Sequence, residues 1–92
     1  IMDALLIDTD SDVRIFAVNI LESLWHPNVE PWLIAVIEQD AEVNVCGTAL
    51  DLLCELGSEA ARTAIEQLKV RFSNEPYIQF AADLAIKRIT ES

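Results

Sequence analysis

The sequence predicts an all-α protein, an α-α superhelix (a helical-repeat solenoid) of about three antiparallel helix pairs. A short pattern, in which an aliphatic residue is followed four places later by a small one, occurs three times. The copies begin at Val13, Val43 and Ile78, which are 30 and 35 residues apart, and a period of roughly 20–50 residues is typical of repeat solenoids. Apolar residues recur at helical spacing between short turn signals. Such short turns require neighbouring helices to be antiparallel.

The first two helices are of unequal length. Residues 1–7 indicate the end of a helix that is too short to be stable alone, so we expect the first helix to be truncated. The second helix begins after a cap at Asp10 or Ser11, with Asp12 favourably placed in the first turn, and ends near Leu24. Its inward stripe is predicted to contain Val13, Phe16, Ala17, Ile20, Leu21 and Leu24.

The third helix is predicted from the turn before it and from its apolar content. Pro27 ends the second helix, and Asn28 is expected to cap a third helix that runs to about Gln39. This helix is apolar nearly all round between Trp32 and Ile37. A helix of this kind is expected in a central repeat that is covered on both sides.

The fourth helix is predicted from about Ala41 to Leu56, with Asp40 as its cap and Gly57 as its C-terminal stop. Gly47 takes the place that alanine has in the other two copies, which indicates a close approach between helices, since glycine inside a helix costs about 1 kcal/mol relative to alanine. The inward stripe is predicted to contain Val43, Cys46, Gly47, Leu50, Leu53 and Cys54.

The last two helices complete a third pair. The fifth runs from about Glu59 to Phe72 after a cap at Ser58, and the sixth runs from Pro76 to about Thr90. The chain is therefore expected to be a single repeat domain over residues 1–92, with repeats at about 1–25, 28–57 and 58–90, and to be a fragment of a longer protein. Their inward residues are predicted to be Ala61, Ala64, Ile65, Leu68, Phe72, Ile78, Ala81, Ala82, Ala85 and Ile89.

The charge is strongly negative and unevenly distributed. The net charge is −10, and residues 1–60 contain twelve acidic residues and one base, Arg14. Residues 61–92 contain four acidic residues and five bases. An acidic surface repels phosphate backbones, so nucleic-acid binding is not expected. No apolar run has the roughly 20 residues that a membrane span requires, so no membrane partner is expected either.

The two cysteines are predicted to be reduced and mostly buried. Cys46 and Cys54 lie on one predicted helix, where eight residues rise by roughly 12 Å. A disulfide needs Cα atoms within about 7 Å, so the two cannot pair. Free thiols fit a reducing compartment, and we expect a cytoplasmic protein. Their spacing does not match a zinc site.

Several other side chains have a chemistry that could suit catalysis or ligand binding, but structural roles explain them better. His26 is predicted to be a turn histidine, because no nucleophile lies near it in the sequence. The alternating acids Asp8, Asp10 and Asp12 resemble the start of a calcium loop, but the required Gly and Glu are missing, so helix capping is the better explanation. Trp25 and Trp32 are expected to fill the junction between helix pairs, or to anchor an interface. We therefore expect no cofactor, no metal and no catalysis.

The residues from Asp10 to Leu21 follow the pattern Asp-x-Asp-Val-Arg-x-x-Ala-x-x-x-Leu, which resembles the second helix of a HEAT repeat. The likeness is greatest to the HEAT-like repeats found in bilin lyases. It implies a ladder of Asp–Arg pairs between neighbouring repeats. Asp10, Arg14 and Asp40 match that ladder, whereas Asn44 and Gln79 replace its later arginines. Arg14 is therefore predicted to pair with Asp40 or with Asp12.

The second helix of each pair is predicted to line a protein-binding groove. Side chains at matching repeat positions that avoid the apolar stripe should lie side by side on a concave face. The groove would be polar and mostly negative, with Arg14 as its only base. The predicted lining residues are Arg14, Val18, Asn44, Thr48, Asp51, Glu55, Gln79 and Asp83.

These observations predict a non-catalytic helical-repeat module for protein–protein interaction or scaffolding, with a basic protein partner. The alternative is an accessory subunit of a bilin lyase-like enzyme or an assembly factor, as the resemblance implies. Adding a bilin and looking for a shifted visible band would distinguish the two. A further expectation is self-association through the ends of the solenoid, where Phe80 and Leu84 would be uncovered.

Overall fold

The computed structural model describes all residues, 1–92, and contains six α-helices, one short 3-10 turn and no strand. The all-α prediction is thus confirmed. None of the six helices is both long enough and apolar enough to traverse a bilayer. The helices are α1 (Met2–Leu5), α2 (Ser11–Leu21), α3 (Val29–Gln39), α4 (Val43–Leu56), α5 (Arg62–Arg71) and α6 (Pro76–Glu91), and the 3-10 turn is Glu59–Ala61.

Consecutive helices pack in pairs, and the pairs also pack on each other. The pairs are α1 with α2, α3 with α4, and α5 with α6. Between pairs, α4 contacts both α2 and α6, and α3 contacts α5. The molecule is only 16 Å thick between Cα atoms, which matches two layers of helices at the usual separation of about 8–10 Å. Helix α4 therefore lies at the centre, with α2 and α6 on its two sides.

A single apolar cluster holds the helices together. It takes side chains from α2 to α6 and adds Leu6 from the turn after α1. Burial of a Leu or Ile side chain contributes about 1.5–3 kcal/mol, so these residues supply most of the favourable energy. The predicted inward faces of α4, α5 and α6 are largely confirmed. Among the fully buried large side chains are Leu33, Leu50, Leu53, Ile65, Leu68 and Ile78.

The predicted stripe of α2 is partly wrong. Phe16 is 64% exposed and Leu24 is 39% exposed, whereas Val18 is fully buried. The buried residues of α2 are Ala17, Val18 and Leu21. Helix α2 packs on both α1 and α4. Leu24 lies beyond the helix, because α2 ends at Leu21.

Two of the four predicted N-terminal caps are formed by their side chains, those of Asp10 and Ser58. The hydroxyl of Ser58 accepts the N–H of Ala60 at 3.3 Å, at the start of the 3-10 turn. Asp10 caps α2, and its carboxylate accepts the N–H of Asp12 at 2.9 Å. Asp40 accepts the N–H of Glu42 at 3.0 Å, but Glu42 is the N-cap residue of α4, so the prediction that Asp40 caps this helix is wrong. Asn28 occupies the predicted N-cap position of α3, but its side chain makes no capping hydrogen bond.

Arginine side chains close the C-terminal ends of two helices. Arg71 donates to the carbonyl oxygens of Ile37, Glu38 and Asp40 at 2.9–3.0 Å, at the end of α3. Arg88 donates to the carbonyl oxygen of Cys54 at 2.5 Å, and also to that of Gly57, at the end of α4. The last carbonyls of a helix lack partners within it and carry a negative partial charge, so a guanidinium is favourable there.

Candidate binding surface

One exposed row of polar side chains runs along α4. Asn44, Asp51 and Glu55 are exposed, and Thr48 is half-buried. The four residues are spaced three or four apart, so they share one face of the helix. The hydroxyl of Thr48 donates to the carbonyl oxygen of Asn44 at 2.8 Å. The structure thus brings together the four residues that the sequence assigned to α4.

A recess of about 440 Å³ opens beside this row. Its walls come from α2 and α6 as well as α4, so it crosses all three helices of that layer. Ile15 and Tyr77 were not predicted to line it, and the repeat pattern contains no signal for them, because they align with Val45 and Glu42 in the second copy. The lining residues are Ile15, Val43, Asn44, Gly47, Thr48, Asp51, Glu75, Tyr77 and Ile78.

Tyr77 joins α6 to the polar row. Its hydroxyl donates a hydrogen bond to the carboxylate of Asp51. This bond, with smaller effects from desolvation and from the negative charge, raises the pKa of Tyr77 because it favours the protonated phenol. The ring of Tyr77 lies beside Gly47, where an added Cβ would be 3.9 Å from the ring and 3.8 Å from Ile78. These are ordinary contact distances, so the packing there does not require glycine.

Arg14 makes the predicted pair with Asp40. Its Nε lies 2.7 Å from Oδ2 of Asp40, and its Nη1 donates to the carbonyl oxygen of Asp8 at 2.7 Å. The hydrogen bond that Arg14 donates to Asp40 raises the pKa of Arg14. This ion pair links the first helix pair to the second. The charge of Arg14 is therefore neutralised by Asp40 within the chain. Val18, the other predicted α2 residue, is fully buried and cannot line a surface.

The two predicted residues of α6 lie on the side that faces α5. Gln79 donates to the carbonyl oxygens of Lys69 and Phe72, at 2.9 and 3.1 Å. Asp83 forms an ion pair with Lys69. The buried face of α6 lies between two flanks, one next to α4 and one next to α5. Tyr77 lies on the flank next to α4, whereas Gln79 and Asp83 lie on the flank next to α5. The contribution of α6 to the surface is therefore different from the one predicted.

An apolar row lies on the exposed face of α6. Tyr77, Phe80 and Leu84 are 56%, 67% and 51% exposed, and their spacing of three and four places them on one helix face. The expectation that Phe80 and Leu84 are uncovered is confirmed. Two chemically different rows thus stand beside each other on this side of the molecule, one on α4 and one on α6.

The acidic side chains of the row on α4 form no ion pair within the chain. Asp51 and Glu55 take part in no salt bridge, whereas Asp40, Glu59 and Asp83 do. Nearly all of the bases are occupied: Arg14, Arg62 and Lys69 in ion pairs, and Arg71 and Arg88 in carbonyl caps. Only Lys87 has neither kind of partner. The surface beside α4 is therefore negative at neutral pH.

A second recess, of about 520 Å³, lies between α1 and α3. Its polar groups are bonded to one another, since the indole N–H of Trp32 donates to Asp3 at 2.6 Å and Arg14 is paired. His26 stacks on Trp32 with ring centroids 5.1 Å apart, and its Nδ1 accepts the N–H of Asn28. The prediction of a turn histidine is confirmed. Trp25 is fully exposed and fills no junction.

Both cysteines are free thiols, as predicted. Cys46 is fully buried, whereas Cys54 is only partly buried. Burial raises the pKa of both thiols, because it disfavours the thiolate. Arg71 lies 3.2 Å from the sulfur of Cys46 and opposes that shift without reversing it. Neither thiol is activated as a nucleophile by this arrangement.

The His, Cys, Asp and Glu side chains form no group of three or more that could hold a metal ion. The surface formed by α4 and α6 is thus the most distinctive feature of the molecule. No protein-family model matches the chain, and no match was found among the curated proteins or the solved structures.

Proposed function

We propose that this chain is a non-catalytic helical-repeat module of the HEAT type, which binds a basic protein partner on the face of α4 and its neighbours. The observation that carries the proposal is the exposed row Asn44, Thr48, Asp51 and Glu55, whose two carboxylates form no ion pair within the chain. Unpaired surface charge of one sign attracts a partner of the opposite sign and speeds its association.

The helix contacts support the repeat assignment. Helix α4 packs between α2 and α6, and α3 packs on α5, so equivalent helices of successive pairs meet. The ion pair between Arg14 and Asp40 joins the first pair to the second, at the positions where the HEAT resemblance implies an Asp–Arg ladder. A stack of helix pairs presents long faces to partners, which is the common use of such architectures.

Charge reversal tests this function. The double variant Asp51→Lys/Glu55→Lys should lose the partners that the native chain captures from a lysate. Both side chains are exposed, and the one side-chain hydrogen bond that the variant removes is that from Tyr77 to Asp51, so the helices should remain folded. The matched control is Glu38→Lys/Glu66→Lys, which makes the same charge change at exposed positions of α3 and α5. Equal capture by the native chain and the first double variant would show that the proposed function is wrong.

Self-association is the second candidate, and the exposure of Phe80 and Leu84 favours it. Apolar rows of this kind bind other surfaces or each other. Analytical ultracentrifugation over a range of protein concentrations measures the oligomeric state. The native chain should associate, and Phe80→Glu should remain monomeric. If the native chain stays monomeric throughout, this candidate is excluded.

A further inference from the structure

Helices α4 and α6 run side by side in the same direction, so their exposed rows are parallel. Tyr77 bonds to Asp51, 26 residues earlier, and the thiol of Cys54 donates to the carbonyl oxygen of Ala81, 27 residues later, at 3.2 Å. Arg88, further along α6, bonds to the carbonyl oxygen of Gly57 at the end of α4. The contacts thus advance in the same order along both helices, which means that α4 and α6 are parallel. The two rows therefore form the edges of one continuous strip.

The edges of this strip, which we call the α4–α6 strip, differ in chemistry. On the α4 edge, Asp51 and Glu55 are four residues apart, or about 6 Å along the helix axis. On the α6 edge, Tyr77, Phe80 and Leu84 extend over about 10 Å. The edges are about one helix separation apart, 8–10 Å. The strip is therefore acidic along one side, apolar along the other, and about two helical turns long.

An α-helix is the element whose side chains match both edges at once. Residues spaced three and four apart line one edge of a helix, and a second set with the same spacing lines the neighbouring edge. A strand places successive side chains on opposite faces, so it cannot present two such edges to one strip. We infer that the α4–α6 strip holds an amphipathic helix of the partner, with Lys or Arg against Asp51 and Glu55 and aliphatic side chains against Tyr77, Phe80 and Leu84. This inference rests on the proposed function and names the element that is bound.

A second copy of the chain does not fit the strip. Each copy has a net charge of −10, so two copies repel each other. A helix that fits must also present at least two bases, four residues apart, that are free to pair. This chain has one base without a partner, Lys87, because the others cap helices or form ion pairs. The occupant is therefore a different, basic protein.

Synthetic helices provide a direct test. A peptide of about 15 residues can be built on alanine, with leucine at three positions along one edge and arginine at positions four apart along the adjacent edge. A control peptide of the same composition carries the arginines on the edge opposite the leucines. The first peptide should bind to the native chain at least roughly tenfold more tightly than the control, and should become more helical when it binds.

Two pairs of variants locate the binding site. Phe80→Glu should weaken binding of the first peptide by roughly tenfold or more, and Val70→Glu should not, although Val70 on α5 is 78% exposed. Asp51→Lys/Glu55→Lys should weaken it to a similar degree, and Glu38→Lys/Glu66→Lys should not. Backbone amide NMR shifts should change in α4 and α6 upon titration.

The outcomes separate this inference from the function on which it rests. If the two peptides bind equally, attraction is purely electrostatic and the inference is wrong. The inference is also wrong if neither peptide binds, or if the NMR shifts change only in α3 and α5. In each of these cases, lysate capture that still depends on Asp51 and Glu55 keeps the proposed function. Capture that ignores those residues removes the proposed function, whatever the peptides do.

Discussion

At the scale of single residues, only one of the two glycines lies where a side chain would not fit. Gly57 has φ −69° and ψ 146°, which other residues can adopt, so its conformation does not explain it. A Cβ at Gly57 would lie 2.6 Å from the carbonyl oxygen of Leu53, which is too close. With this negative φ, Gly57 does not adopt the left-handed conformation that glycine often has at the end of a helix. At Gly47 an added Cβ would meet only ordinary contacts.

The two positions should respond oppositely to the same substitution. Gly57→Ala should lower the free energy of unfolding by about 1–3 kcal/mol, because the backbone oxygen of Leu53 cannot move aside freely. Gly47→Ala should raise it by up to about 1 kcal/mol, because alanine favours the helix and its methyl group fits. Urea unfolding of the two variants measures both changes. A destabilised Gly47→Ala variant would mean that α4 and α6 lie closer together than described.

Tyr77 allows the site to be followed by its ionisation. It is the only tyrosine of the chain, so the absorbance of tyrosinate reports on this residue alone. The hydrogen bond to Asp51 raises the pKa of Tyr77, so the midpoint of the native chain should lie above the usual value of about 10. Asp51→Ala should lower that midpoint, whereas Glu55→Ala should leave it nearly unchanged.

The sign of the linked stability change follows from the same shift. Because the pKa of Tyr77 is higher in the folded chain than in the unfolded one, the bond stabilises the fold fully below the unfolded pKa. That stabilisation is lost as pH rises through the folded pKa. A midpoint that does not respond to Asp51→Ala would contradict the bond between α4 and α6.

At the scale of helices, the C-terminal ends depend on distant arginines. Helices α3 and α4 carry no basic residue in their last turns. Helix α4 ends before Gly57 as predicted, but Gly57 does not adopt the left-handed conformation of a glycine cap. Arg71 and Arg88 supply the missing donors from α5 and α6, across more than 30 residues of sequence. These caps tie successive helix pairs together as well as ending the helices.

Removal of one such cap should be costly. Arg88→Met keeps much of the apolar stem but leaves the carbonyl oxygens of Leu53, Cys54 and Gly57 without their charged donor. We expect the free energy of unfolding to fall by about 1–3 kcal/mol. Lys87→Met, next in the sequence and exposed, should change it by less than about 0.5 kcal/mol. Thermal or urea unfolding gives both values, and equal values would show that the cap contributes little.

The sequence predicted most helices because caps and prolines act locally. Asp10 marks a helix start through its carboxylate, which accepts the N–H of Asp12, and Pro76 through its restricted backbone; the structure has both helix starts. The face of α2 could not be predicted in the same way. Whether Phe16 or Val18 is buried depends on which side of α2 the neighbouring helices pack against, and tertiary packing decides this. Periodicity alone allows both orientations.

At the scale of the whole molecule, the uneven charge has a structural explanation. The bases of residues 61–92 do not form a positive patch, because Arg71 and Arg88 bind carbonyl oxygens and Lys69 binds Asp83. The net charge follows from the composition. Which carbonyl oxygen or carboxylate each base binds depends on tertiary contacts. Most of the bases of residues 61–92 are therefore committed to contacts within the chain.

The candidate site was predictable only where one helix determined it. The row on α4 follows from the apolar stripe of that helix, since the polar face must lie opposite the buried one. The contribution of α6 depends on which of its flanks meets α4, and here Tyr77 takes the place that was assigned to Gln79 and Asp83. The apolar pattern of α6 does not indicate which of its two flanks packs next to α4.

The way in which the bases are used has a practical consequence for attaching the protein to surfaces. The chain has two lysines, and Lys69 is partly covered by its ion pair with Asp83. Lys87 is exposed and lies three residues after Leu84 on α6. Of the two lysines, amine-reactive dyes and biosensor chips would therefore attach mainly at Lys87, where they would cover the apolar edge of the α4–α6 strip. Coupling through a tag at the N-terminus, or after Lys87→Arg, leaves that edge free.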